Sequence, residues 1–245
     1  MKSLTLRPGR PCRGECTRRT RALGLVLAMA WAGLTPQLAS AGRPLFTEDA
    51  AVLGVHQCEF ESFAARQSGS DATGLSAQVG CGLGARTQLA LATASETRWA
   101  SAQGALTGKT ALIAQGSDSV ALSIAYALVW QTGPHEPLRH QSTEVKAVLS
   151  VPLADLLLHA NAGWAGAHAE HTDRLTWNAA LEKIDAFERV DLMIELAGDN
   201  RAAPCMQVGA RWAILPARLY VDGALGMRAN ARKDRQASLG MRLAF

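Results

Sequence analysis

The sequence predicts an all-β fold, a transmembrane antiparallel up-and-down barrel of about 12 strands. Three observations carry that expectation. Bulky apolar residues alternate with small or polar ones along about twelve segments after residue 54. Compact turns alternate with longer polar connections. The chain stops on Phe245 at the end of an alternating segment. Period-two alternation marks strands whose two faces meet different surroundings. Closure lets such strands satisfy their backbone groups in lipid.

The chain opens with a segment that reads as a secretory leader, residues 1–41. Seven basic residues and Glu15 lie in it, an apolar run extends from Ala22 to Leu34, and Pro36 precedes the small-x-small site Ala39-Ser40-Ala41. Thirteen apolar residues are short for a helical span. The remaining chain holds 18 basic and 20 acidic residues, so the net positive charge belongs to the leader. That distribution argues against a nucleic-acid partner. Residues 42–54 form an N-terminal segment expected either in the periplasm or as a plug, and residues 55–245 form the barrel.

The alternation is clearest over residues 118–131. Val120, Leu122, Ile124, Tyr126, Leu128 and Trp130 interleave with Ala121, Ser123, Ala125, Ala127 and Val129. Similar segments fall at 55–67, 72–83, 86–95, 103–114, 142–151, 155–166, 173–182, 189–198, 204–214, 218–228 and 235–245, each near the length of a tilted membrane strand. The region Leu156–Trp164 is the least regular, which leaves the strand count open to within two. Compact connections at Gly84-Ala85, Gln115–Ser117, Pro152–Ala154 and Leu215–Ala217, with a looser one at Lys183–Glu188, alternate with polar loops. This asymmetry, with an even strand number, puts both termini on the periplasmic side of a Gram-negative outer membrane.

A soluble periplasmic sandwich also alternates, but three features favour the membrane. The less apolar face is Gly-, Ala- and Ser-rich rather than densely charged. Closure removes the edge strands a sandwich would expose. Leu239, Met241, Leu243 and Phe245 resemble the terminal signal read by the barrel-assembly machinery, which is thus an expected partner along with outer-membrane lipid.

Lipid disfavours charge by about 2–4 kcal/mol for Arg or Lys at the midplane, so strand charges are expected to face inward. The candidate lumen lining is Glu59, Glu61, Arg86, Lys109, Glu144, Lys146, Glu195, Arg211, Asp222, Arg228 and Arg242, with Asp155, His159, Glu182 and Asp191 on the same face. Such a lining either sets selectivity or pairs internally and fills a narrow interior. In the first hairpin, pairing Gln67 with Ala72 sets Cys58 opposite Cys81, and the two are a possible cross-strand disulfide.

The sequence also resembles the outer-membrane proteins assigned to a meta-pathway of phenol degradation. The matching stretches are Arg43–Ala50, Cys58–Glu61, Glu195–Asp199, Gly209–Trp212, Asp222–Gly226 and Leu239–Leu243. The resemblance implies a barrel and passage of hydrophobic or aromatic compounds. No catalytic residue, cofactor or metal site is expected. No GxSxG motif occurs, and no serine is identifiable beside a histidine and an orienting acid. His168 and His171 near Glu170 and Asp173 lie in a proposed loop, where solvation is the ordinary fate of histidine. The expected function is a passive channel or transporter for a small, hydrophobic or aromatic solute. The alternatives are a plugged structural or adhesive barrel and a barrel hydrolase.

Overall fold

A computed structural model describes residues 45–68, 72–97, 99–116, 119–133, 136–167, 172–229 and 231–245. The leader, residues 42–44, His135, His168, Glu170 and His171 lie outside the described residues.

Twelve strands follow in chain order: β1 Cys58–Gln67, β2 Thr73–Gly84, β3 Thr87–Glu96, β4 Trp99–Ile113, β5 Ala121–Thr132, β6 Arg139–Leu153, β7 Leu156–Ala167, β8 Thr172–Phe187, β9 Val190–Asp199, β10 Cys205–Leu215, β11 Leu219–Arg228 and β12 Ala231–Ala244. Each pairs antiparallel with its sequence neighbour, and β12 pairs with β1 to close the barrel. Phe60 faces Leu243 across that seam, and the Phe245 backbone exchanges hydrogen bonds of 2.8 and 2.9 Å with Cys58. The ambiguous region is one continuous strand, β7.

Several strand bounds differ from the sequence reading: β4 starts at Trp99, β6 spans Arg139–Leu153 and β12 starts at Ala231, so the polar connections before them are shorter than expected. Residues 55–57 leave the wall, because Val55 makes a parallel bridge to Gly82 on its way inward. The connection at Lys183–Glu188 is mostly strand. β8 runs to Phe187, where it pairs with Val190 beyond an irregularity in register.

The bulky series faces outward. Leu75, Val79, Leu91, Leu128, Trp164, Trp177, Val208, Trp212, Leu225, Leu239 and Phe245 are all exposed on the outer wall. Water would not tolerate so continuous an apolar belt, and a bilayer favours it. The outer surface therefore meets membrane lipid. The interleaved residues are buried, among them Ala121, Ser123, Ala125 and Ala127 of β5. Leu91 is 69% exposed and sits at the middle of β3. Leu91→Arg is expected to cost about 2–4 kcal/mol of folding free energy, read as a lower denaturant midpoint in lipid vesicles.

Compact turns cluster at the end where β1 begins and β12 finishes. They use left-handed backbone at Gly84, Ala85, Arg86, Ala154, Asp185, Arg189 and Ala217. Ala85 and Arg86 both have positive φ, the pattern of a tight hairpin turn whose twist matches its strands.

On the outer face near that end, Cys58 faces Cys81 in the β1–β2 register. Their sulfurs are bonded, with the Cα atoms 4.1 Å apart. The closed loop of sequence separation 23 implies about 3 kcal/mol from the bond. Cys58→Ser with Cys81→Ser is expected to lower the unfolding free energy by about 2–4 kcal/mol. Reduction of the wild type should add two hydrogens to its intact mass, and the variant should add none.

Candidate functional site: a barrel lumen crossed by its own N-terminal segment

The inward face of the wall is small and polar, and residues 45–55 fill it. Gly82 lets this segment in. A Cβ there would strike the carbonyl oxygens of Leu53 and Gly54, so backbone lies against backbone at the entry. From Gly82 the segment passes β3, β5 and β6 and ends against β8–β10.

Side chains of the wall bind it at nearly every step. Gln88 Oε1 accepts from the Leu53 N–H at 2.8 Å. Ser150 Oγ accepts from the Ala50 N–H at 2.9 Å, and Ser123 Oγ donates to the Ala50 carbonyl at 2.6 Å. The Ala50 methyl packs among Ala121, Ala125 and Val148. Asn161 clamps Glu48 through both its amide atoms, at 2.7 and 2.9 Å. Asn178 donates to the Phe46 carbonyl at 3.0 Å. The Glu195 carboxylate accepts from the Phe46 N–H at 3.0 Å and from both the N–H and the hydroxyl of Thr47. Leu45 ends the described segment in an apolar contact with Ala180 and Met193.

Two ion pairs add to this seat. Lys146 Nζ lies 3.1 Å from Glu48, and Lys109 Nζ lies 3.3 Å from Asp49 and 2.9 Å from its carbonyl oxygen. Both lysines are buried. A cavity of about 20 Å³ remains beside them, lined by Glu48, Gln78, Gln88, Lys109, Glu144 and Lys146 among others. That is room for roughly one water molecule.

The other lumenal charges pair with one another. Arg242 lies 2.7 Å from Glu59 and 3.7 Å from Glu61, and Gln78 donates to Glu61 at 2.6 Å. Arg211 sits 3.6 Å from Glu182, and Tyr220 lies between the guanidinium groups of Arg211 and Arg242 at 6.0 and 5.9 Å. Asp222 is buried on β11, and its carboxylate stands where a Cβ on Gly240 would go. Glu144 lies 3.9 Å from Lys146. At the far end Arg228 pairs with Asp234 at 3.1 Å. Asp191 accepts from the Asp185 N–H at 2.9 Å near the turn end.

Two expected lining residues are elsewhere. Arg86 is exposed in the β2–β3 turn, since alternation stops at Gly84 and the tight turn takes residues 85 and 86. Asp155 is exposed in the β6–β7 turn, where its hydrogen bond from Lys183 holds its carboxyl below the ordinary value.

Sequence reasoning missed one cluster. Ser150 on β6 stands opposite His159 on β7, with Oγ and Nδ1 at 2.8 Å, and His159 Nε2 lies 3.0 Å from Glu182 on β8. A serine does therefore lie beside a histidine and an acid. Parity of the three strands placed all three side chains inward, but only the register of β6 against β7 reveals the contact. His159 is 2% exposed and Ser150 3%. The network is satisfied when Nε2–H donates to Glu182, Nδ1 accepts from the Ser150 hydroxyl and Ser150 Oγ accepts from Ala50. One of the two lone pairs of Ser150 Oγ thereby holds the N-terminal segment.

No protein-family model matches the sequence, and no curated protein matches it. Solved structures do match in fold. An outer membrane channel from Pseudomonas putida F1 aligns with a TM-score of 0.56 at 12% identity, over 80% of this chain and 98% of that one. The NanC porin aligns with a TM-score of 0.55 at 10% identity, over 75% and 98%. The KdgM porin, solved in complex with disordered oligogalacturonate, aligns with a TM-score of 0.54 at 10% identity, over 76% and 99%. The chain thus has the closed twelve-stranded fold of outer-membrane barrel channels.

Proposed function

We propose that the protein is a passive outer-membrane channel for small solutes, closed at rest by residues 45–54. One observation carries this reading. The segment that fills the lumen is held by wall side chains, while the strand ladder that makes the barrel closes without it. A plug bonded this way can leave without any strand pair breaking, which is what a gate requires. The fold shared with porins supports the channel reading. The hydrophobic or aromatic class of solute rests on the resemblance to the phenol-pathway proteins.

The barrel-assembly machinery is the proposed partner in biogenesis, on the outward series Leu239, Met241, Leu243 and Phe245. Deleting Phe245 is expected to lower the amount of folded protein in the outer membrane several-fold, measured by heat-modifiable gel migration of membrane fractions.

Planar-bilayer recording tests the channel itself. The full chain should show rare openings from a closed baseline, and weakening the plug should raise their frequency. A barrel that stays silent when its plug is shown to be displaced would instead be a structural or adhesive barrel.

A further inference from the structure

The geometry points to a binding site for a multiply charged carboxylate solute at Lys109 and Lys146, which the plug occupies with its own Glu48 and Asp49. This rests on the channel reading alone, and for the lumen it puts a charged class of solute in place of the hydrophobic one that the resemblance implies.

Adjacent acids on one extended segment reach lysines on two different strands. Glu48 goes to Lys146 of β6 and Asp49 to Lys109 of β4. Neutral wall groups complete the surroundings: Gln78, Gln88, Ser123 and Asn161 are all buried nearby, and Gln88, Ser123 and Asn161 each bond the plug. One wall acid, Glu144, faces Lys146 from 3.9 Å. Four other lumenal acids have cationic or amide partners of their own: Glu59 and Glu61 with Arg242 and Gln78, Glu182 with Arg211, and Glu195 with Gln207. When the plug leaves, two cations and one acid remain on this side of the lumen. A cleft with an excess of one charge sign attracts solutes of the other sign. The site therefore favours replacement of the two departing carboxylates by two others.

A dicarboxylate supplies two carboxylates at close spacing, as Glu48 and Asp49 do. Because plug and solute exclude one another, the solute's apparent affinity is lowered by the fraction of time the plug is seated. Solute binding thereby favours the unplugged state, and the cargo opens its own path.

The test uses succinate as probe and the full mature chain folded in detergent, each variant checked for heat-modifiable migration. Titration calorimetry is expected to show weak binding to the wild type. Binding to Glu48→Gln with Asp49→Asn should be at least about tenfold tighter, because the competing acids are gone. Adding Lys109→Gln and Lys146→Gln to that variant should abolish binding, and Lys109→Arg with Lys146→Arg should retain it. No binding to Glu48→Gln/Asp49→Asn, or binding indifferent to the lysines, would overturn the site. Conductance of that same variant separates the two ideas. Conduction without lysine-dependent binding sinks the site alone, and binding without conduction sinks the channel alone.

Discussion

Glu195→Ala is expected to unseat the N-terminal segment and turn a mostly closed barrel into a mostly open one. The Glu195 carboxylate takes three donors from the plug, the Phe46 and Thr47 N–H groups and the Thr47 hydroxyl, besides the amide of Gln207. An unsatisfied buried donor costs about 1–3 kcal/mol, so losing three partners opposes the seated state by about 3–9 kcal/mol. The segment escapes that cost by leaving the lumen for water, whereas the strand ladder keeps all its bonds. The effect should therefore appear in gating far more than in barrel stability. Single-channel recording should show open probability rising by on the order of a hundredfold or more. Glu195→Gln keeps one acceptor oxygen and should fall between the two. An unchanged closed baseline would remove Glu195 from the latch.

Lys146→Met should act in the same direction from the other wall. It leaves the Glu48 carboxylate buried without the cation now 3.1 Å away. Breaking a buried pair from one side costs about 3–5 kcal/mol. Here too the segment can withdraw, so the expected result is again frequent opening. The pair makes a distinctive further prediction. Glu48→Gln in the Lys146→Met background removes the stranded charge and should restore part of the closure, since two neutral groups cost less to bury than one charge. A double variant as open as Lys146→Met alone would mean that packing at position 146, and not the ion pair, holds the plug.

The wall was legible in the sequence because lipid and a filled lumen impose opposite demands at a spacing of two residues. Leu91 and Ala90, or Leu239 and Gly240, show it at single positions: each outward residue is large and each inward neighbour small. The register of the first hairpin followed from its turn length, and Cys58 meets Cys81 at the expected place. Arg86 and Asp155 misled because parity carries no information once a tight turn begins. The sequence offered residues 42–54 as a plug or a periplasmic segment and could not choose between them, for a different reason. Residues 45–55 have no period of their own and pair with wall residues from 35 to 149 positions away, as Leu53 does with Gln88 and Phe46 with Glu195. Their partners Gln88, Ser123, Ser150 and Asn161 looked like an ordinary polar lining. Only the assembled barrel shows that they converge on one segment.

Amide hydrogen exchange over residues 46–53, measured on the wild-type barrel in lipid vesicles, tests the central claim most directly. The N–H groups of Phe46, Thr47, Glu48, Ala50 and Leu53 all donate to lumenal side chains. They should exchange orders of magnitude more slowly than an unstructured peptide and speed up sharply in Glu195→Ala, while β1–β12 stay protected. Exchange of this segment at the unstructured rate in the wild type would place it outside the lumen and contradict the account.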